Sequence, residues 1–226
     1  MRHYYLIVDT ETTKRQTVAD FGAVVVTKQG EIVEQFGAMV FGQFGKLPLF
    51  SDPSEADCEI WSEQSAQRRE KDYYEMLENG SRSISSVAAI NIWLAGIKAR
   101  YNPTLTAYNL SFDLGKCSNT KINLGIFGSR FCLMKAAKRK IGVLAEYQAF
   151  CYDNNLLTKG GKSGKNKVAQ MKADSMAKFV AAEDGYIGSL ADEPHTALED
   201  ARDYEAMILT HILRDTTRKQ ILELGR

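Results

Sequence analysis

The sequence has no Cys-x-x-Cys pair. Cys58, Cys117, Cys132 and Cys151 lie far apart, which argues against a zinc knuckle or a disulfide framework and points to a reducing compartment. Charge of one sign is also missing. The formal net charge is +1, and a basic surface offset by acidic residues elsewhere gives the same total, so composition names no partner. The N-terminus lacks a basic-then-apolar signal pattern, and no apolar run approaches bilayer-spanning length. The expectation is a soluble, cytoplasmic protein with no membrane partner. No internal repeat is present. The stretch Gly160-Gly161-Lys162-Ser163-Gly164-Lys165-Asn166 misses the P-loop spacing and has no Ser or Thr after Lys165. What is there is ordinary globular composition, 226 residues with 44% hydrophobic and 25% charged, which suffices for one core and a single domain over 1–226.

The most informative stretch is Tyr4-Tyr5-Leu6-Ile7-Val8-Asp9-Thr10-Glu11-Thr12-Thr13. An uninterrupted apolar run ending in polar residues reads as a strand buried on both faces. Side chains at i and i+2 share one side of a strand, so Asp9 and Glu11 project together from its end. Two adjacent carboxylates repel unless a cation lies between them, and oxygen-rich sites suit Mg²⁺ or Mn²⁺.

Residues 19–28 and 31–41 read as second and third strands separated by a turn at Gln29-Gly30, which makes an antiparallel meander. Residues 42–53 read as a loop and 55–78 as a charged helix ending at Asn79-Gly80. The region 47–80 is a helical elaboration with two readings, a solvated helix (the one favoured) or a grip on substrate or partner. Residues 83–99 carry apolar side chains on one helical face, with Ser83 or Ser85 as cap. Residues 103–108 form a short buried fourth strand, reached by a parallel crossover. A helix over 114–123, a short fifth strand over 129–133 and one helix over 135–154 follow. The Gly/Lys-rich stretch 158–167 has no periodicity and reads as a mobile loop. Helices over 173–182 and 195–213 complete the pattern, separated by a loop.

Three acidic islands stand out: Asp9 with Glu11 at the first strand's end, Asp113 just after the fourth strand, and Asp200 early in the last helix. His195 precedes Asp200 by five residues, a spacing that does not stack side chains on an α-helix. It is therefore poorly placed to share a metal with Asp200 and stands at the helix entrance, free to swing toward whatever the metal binds. This division suits phosphodiester hydrolysis, in which carboxylates hold two cations about 3.5–4 Å apart and an imidazole accepts a proton from water. Each island alone has an ordinary reading as a cap, a dipole partner or a solvated group, and Glu199 and Asp203 are rivals to Asp200. Together, ordered along the chain, they favour function.

These residues carry a family resemblance. Val8-Asp9-Thr10-Glu11-Thr12-Thr13, Tyr108-Asn109-Leu110-Ser111-Phe112-Asp113 and His195-Thr196-Ala197-Leu198-Glu199-Asp200-Ala201 resemble, in order and rough spacing, the three motifs of the DEDDh group of 3′-to-5′ exonucleases. The resemblance covers nearly the whole chain. It implies a ribonuclease-H-like α/β fold, with antiparallel strands 1–3 and parallel strands 4–5 in one mixed sheet flanked by helices. It implies Asp9, Glu11, Asp113 and Asp200 as ligands of two divalent cations, Mg²⁺ or Mn²⁺, and His195 as general base. Thr10, Thr12, Asn109 and Phe112 would then meet the substrate, with Thr12 at its 3′ end. The helix around 171–180 resembles the family helix that packs beside the site. Lys14 stands where these proteins often have Gly, and Tyr108 where they often have His. Neither position is a ligand.

The implied activity is hydrolysis of single-stranded DNA or frayed 3′ ends to nucleoside 5′-monophosphates. An RNA or short-oligonucleotide exonuclease is the alternative, since the 2′-OH contact is not readable in sequence. A catalytically silent binding module is a third reading, which the full set of carboxylates and the histidine opposes; a non-nuclease hydrolase is a distant fourth. For strand binding, Lys135, Lys138, Arg139 and Lys140 form one basic cluster and the Gly/Lys loop another, with Phe112, Tyr108 and Tyr147 as stacking candidates.

Overall fold

A computed structural model describes residues 3–51, 62–160, 166–186, 190–192 and 194–226. The long apolar strand is its centre. Strands β1 (Tyr4–Thr12), β2 (Val18–Thr27) and β3 (Ile32–Val40) form the expected antiparallel meander. Gly30, at φ +85°, makes the turn between β2 and β3 in a backbone region open to glycine. Next come α1 (Glu63–Glu78), β4 (Ser83–Ser85), α2 (Val87–Tyr101), β5 (Thr104–Ala107), α3 (Leu110–Thr120) and β6 (Arg130–Cys132). The sheet order is β4-β3-β2-β1-β5-β6, with β5 parallel to β1 and β6 parallel to β5. This is the ribonuclease-H-like mixed sheet, with β4 added at one edge parallel to β3.

Alternation along β1 divides the core. Tyr5 and Ile7 face one apolar layer, which holds Ala136, Met176, Ala201 and Ile208 from later helices. Leu6 and Val8 face the other, with Ile90, Leu94 and Ile97 of α2 and Cys117 of α3. Burial on both faces is why the strand reads as an unbroken hydrophobic run rather than an alternating one.

The second half contains α4 (Leu133–Lys140), α5 (Ala145–Asp153), β7 (Leu157–Gly160), β8 (Asn166–Ala169) and α6 (Ala173–Glu183). After α7 (Ala197–Glu199), a π-helical segment, Asp200–Glu205, leads without a break into α8 (Ala206–Leu213), and α9 (Arg218–Leu224) ends the chain. Among the described residues, no helix is long and apolar enough to cross a membrane. Cys117, Cys132 and Cys151 are buried free thiols.

Several expectations are corrected. The single helix over 135–154 is two, because the chain turns at Gly142 too tightly for a side chain; a Cβ there would lie 2.8 Å from the Lys138 carbonyl oxygen and 2.9 Å from Met171 Sδ. Ser83 and Ser85 lie in an edge strand, and Ser86 caps α2 by accepting the Ala89 N–H at 3.2 Å. The helix expected over 114–123 begins earlier, at Leu110, which brings Asp113 into its first turn. The formless loop over 158–167 is the antiparallel β7–β8 hairpin in its described residues; 161–165 lie outside them. The hairpin has no hydrophobic periodicity because only Ala169 of β8 is buried. Of the helix over 55–78, residues 52–61 lie outside the described set and α1 begins after a Ser62 cap. It is not a merely solvated helix. Ala66, Arg69 and Tyr73 form a buried stripe, with Ala66 and Tyr73 packing on Ala19, Met39 and Leu49.

Candidate active site

The C-terminal ends of β1 and β5 lie side by side in the sheet, and a cleft of about 430 Å³ opens there. Asp9 and Glu11 enter it from β1 just before a bulge in the pairing with β2, between Glu11 and Thr12. Thr10 points to the opposite face of the strand, and its hydroxyl donates to Asp113 Oδ1 at 2.9 Å. That bond ties β1 to the first turn of α3, where Asp113 is 3% exposed.

The third segment reaches the cleft through a notch in the sheet. Gly22 and Gly37 are paired directly across β2 and β3. A Cβ on Gly22 would lie 2.1 Å from the Ala197 carbonyl carbon, so α7 rests on bare backbone there. Asp20 Oδ2 accepts the Ala197 N–H at 3.0 Å at the start of α7. Asp20 is in turn paired with the buried guanidinium of Arg82 (3.3 Å), which also holds Glu199 at 2.5 Å. Glu199 is thus a structural partner, and Asp203 pairs with its neighbour Arg202 on the surface. Of the three rivals, Asp200 is the one that lines the cleft.

His195 stands before the helix, with Thr196 as the capping residue, and adopts the left-handed conformation at φ +56°. Helical spacing therefore says nothing about its reach. A nitrogen of its ring and carboxylate oxygens of Glu11 and Asp200 all lie within 4.8 Å of one another. The expectation from the five-residue spacing, that His195 is poorly placed to share a metal with Asp200, is corrected. The backbone is strained for a residue with a side chain, a state that persists where surrounding structure enforces it. Here the hydroxyl of buried Tyr73 donates to the His195 carbonyl at 3.4 Å.

All nine residues singled out in the sequence, Asp9, Thr10, Glu11, Thr12, Asn109, Phe112, Asp113, His195 and Asp200, line this one cleft. Phe112 is 39% exposed, and the Lys116 ammonium lies 4.4 Å from its ring centre. Other expectations fare differently. Tyr147 is fully buried and its hydroxyl donates to the Gln170 carbonyl, so it is a core strut rather than a stacking surface. Tyr108 lines the cleft, with its hydroxyl committed to the Met171 carbonyl at 2.7 Å. The basic cluster on α4 meets the end of α9: Lys135 donates to the Arg226 carbonyl, and Arg139 to those of Glu223 and Leu224. Cations at a helix C-terminus offset its dipole, a structural role. Met171, Lys172 and Ala173, at the start of α6, line the cleft as the resemblance implied. The turn after the first motif places its left-handed residue at Gln16, two positions beyond Lys14.

Sequence reasoning missed two residues. Arg69 of α1 places Nη1 3.7 Å from Glu11 Oε2, and its Nη2 donates to the Phe50 carbonyl at 3.2 Å. The spacing of Ala66, Arg69 and Tyr73 on one helical face was the available signal. Glu205 lines the cleft, is 2% exposed and accepts the Tyr108 N–H at 3.1 Å, joining the second motif to the third. It lies five residues after Asp200, and only the wider π-helical turn makes that spacing favourable.

Burial pushes Asp9 up to about 7, against the Thr10 N–H and with the Asp20 charge adding to it. Burial and then the Asp9 charge push Asp113 well above the usual carboxylate range, against the Thr10 hydroxyl. His195 is held down at about 4 by burial and by the Arg69 charge, which keeps the imidazole neutral at pH 7 and able to accept a proton. Buried carboxylates whose anionic forms are disfavoured, as those of Asp9 and Asp113 are, are groups that a divalent cation stabilises as anions. Among the described residues, the donor atoms within 4.8 Å of one another are those of Glu11, His195 and Asp200, and Asp9 and Asp113 stand outside that group. Carboxylate oxygens with one imidazole nitrogen and no thiolate suit a hard divalent cation such as Mg²⁺ or Mn²⁺ rather than a thiophilic ion.

No family model matches the chain, and no curated protein matches it. Among solved structures it is similar to E. coli exonuclease I in complex with a 5cy-dT13 oligonucleotide, at 13% identity and a TM-score of 0.48, over 99% of this chain and 42% of that one. A structure of exonuclease I in complex with inhibitor BCBP gives the same identity and TM-score, with 43% of that chain covered. This chain therefore spans less than half the length of the solved chains it matches.

Proposed function

We propose that the protein is a metal-dependent 3′-to-5′ exonuclease that hydrolyses single-stranded DNA or frayed 3′ ends to nucleoside 5′-monophosphates. The observation that supports this reading is the convergence of Asp9, Glu11, Asp113, His195 and Asp200 from three distant segments on one cleft. In this reading Asp9, Glu11, Asp113 and Asp200 hold two divalent cations. When bound, the cations polarise the phosphodiester and offset the charge that develops as it is attacked. His195, neutral at physiological pH, takes the proton of the attacking water through the ring nitrogen that faces the carboxylates. Arg69 holds Glu11 in place, and Glu205 holds the backbone at the second motif. Thr12 and Asn109 meet the sugar-phosphate of the terminal nucleotide, and the exposed ring of Phe112 meets its base.

The direction and the products rest on the three motifs. The test is side-by-side digestion of 5′-labelled single-stranded DNA, single-stranded RNA, duplex DNA and a dinucleotide, with Mg²⁺, Mn²⁺ or chelator. The expected outcome is a metal-dependent ladder that shortens from the 3′ end, fastest on single-stranded DNA. Faster cleavage of RNA or the dinucleotide would move the assignment to the RNA or short-oligonucleotide alternative. Cleavage that persists in chelator, or none with either metal, would overturn the reading.

A further inference from the structure

We propose that the β7–β8 hairpin, with Tyr152 beside it, is a binding surface for the phosphate backbone of a single strand. On the reading of the cleft given above, this is the part of the strand 5′ to the nucleotide in the cleft. Between Asp153 and Asp174 the sequence has no acidic residue, and its described residues there include three lysines, Lys159, Lys167 and Lys172. The structure puts two of these in direct opposition, because Lys159 pairs with Lys167 across the hairpin. Like charges facing each other across strands destabilise a hairpin. Among the described residues, neither lysine is in an ion pair, and both are exposed. An anion that is not part of the described fold would relieve the opposition.

The hairpin is fastened to the cleft wall. The Tyr152 hydroxyl donates to the Lys167 carbonyl at 3.0 Å, and the Gln170 N–H donates to the Leu156 carbonyl at 3.0 Å, closing the stem. Tyr147 and Tyr108 donate to the next carbonyls, those of Gln170 and Met171. Lys172, exposed and lining the cleft, follows directly. It lies five positions after Lys167, a span of at most about 18 Å. A positive track thus runs from the cleft onto the hairpin, with the ring of Tyr152, 55% exposed, alongside it. Basic side chains beside an exposed aromatic ring are the means by which single strands are held without sequence preference.

The test is the Lys159→Ser/Lys167→Ser double variant. Removing opposed like charges does not threaten the hairpin, so a loss of binding reports on the strand. Binding of a labelled oligothymidylate is measured in chelator across a series of salt concentrations, and cleavage of the oligonucleotide and of a dinucleotide is measured with Mg²⁺. The expected result is a salt slope shallower by about 1.4, because two phosphates are no longer neutralised at ~0.7 each, and affinity weaker by about tenfold or more near 0.1 M salt. The ratio of kcat/KM for the oligonucleotide to that for the dinucleotide should fall with it. Lysine on an exposed strand also blocks edge-to-edge pairing. If that were its role here, the variant would self-associate with slope and affinity unchanged, which overturns the proposal. Wild-type protein that cleaves while the variant's slope is unmoved overturns the hairpin proposal alone. Wild-type protein that neither binds nor cleaves either substrate overturns the reading of the cleft as well.

Discussion

Asp9 and His195 are both shifted by burial, in opposite senses, and their effects on stability oppose each other. Asp9, raised to about 7, takes up a proton on folding, so its contribution is present at low pH and is lost as pH rises from ~4 through 7. His195, held at about 4, gives up a proton on folding; its contribution is present above ~6.5 and is lost as pH falls toward 4. In metal-free protein the two slopes offset each other between those limits, and the Asp9 loss continues alone up to neutral pH. On the proposed reading, in which Asp9 is a ligand, a divalent cation must displace the Asp9 proton to bind, which costs more at low pH. The expected outcome is that saturating Mg²⁺ or Mn²⁺ raises Tm more at about pH 8 than at about pH 5.5. Calorimetric melts at the two values check it, and an equal shift at both would remove Asp9 from the proposed ligand set.

Two elements hold the cleft residues in place without carrying any of the three motifs. The first is α1, whose Arg69 pairs with Glu11 and adds its charge to the forces holding His195 down. Arg69→Ala should raise the His195 pKa toward its ordinary value, and Arg69→Lys, which keeps the charge, should raise it less. The chain has only three histidines, so the imidazole signals are readable by NMR titration. An unmoved His195 in Arg69→Ala would show that burial alone sets its pKa. The second is the notch of Gly22 and Gly37. A Cβ on Gly22 meets the Ala197 backbone at 2.1 Å, whereas one on Gly37 meets side chains only, Arg82 Nη1 (2.6 Å) and Leu198 Cδ2 (2.8 Å) and Cβ (2.9 Å). Gly22→Ala should therefore cost more than about 3 kcal/mol and displace α7, and Gly37→Ala about 1–2 kcal/mol. Urea denaturation of the two variants would reveal the order, and equal losses would mean that α7 moves freely.

Across the whole molecule, the buried Arg82 guanidinium joins Asp20 of β2 to Glu199 of α7 from the turn before β4. Burial raises the Asp20 pKa despite Arg82 and the Ala197 N–H, so the pair is costly to desolvate as well as to break. Arg82→Ala would leave both carboxylates without that cation, with an expected loss of ~3–5 kcal/mol. Because Asp20 also accepts the first N–H of α7, the same variant should loosen the segment carrying His195 and Asp200. Denaturant unfolding checks the first effect and hydrogen exchange at Ala197 the second. A variant within about 0.5 kcal/mol of the parent would show that the network contributes nothing net.

Short-range pattern determined the meander, the buried fourth strand and α6. Apolar runs, Gly30 and the Asn79-Gly80 stop are local signals that need no distant neighbour. Asp9, Glu11, Asp113, His195 and Asp200 were legible because each stands near the end of an element with its own signature, whereas Thr10, Thr12, Asn109 and Phe112 entered only through the resemblance. Helix ends were less legible. The turn at Gly142 and the start of α3 answer to close approaches and bonds that local propensity does not encode. Only the tertiary structure decided which charges are buried and with whom. Arg69 and Arg82 look like any surface arginine in a polar stretch until Glu11, Asp20 and Glu199 arrive from distant positions. The basic residues of α4 look like a strand-binding cluster until α9 ends against them. His195 looks remote from Asp200 until its left-handed backbone turns the ring back to the carboxylates. A charge's role depends on its desolvation and on its partners, and both are properties of packing between residues far apart in the chain.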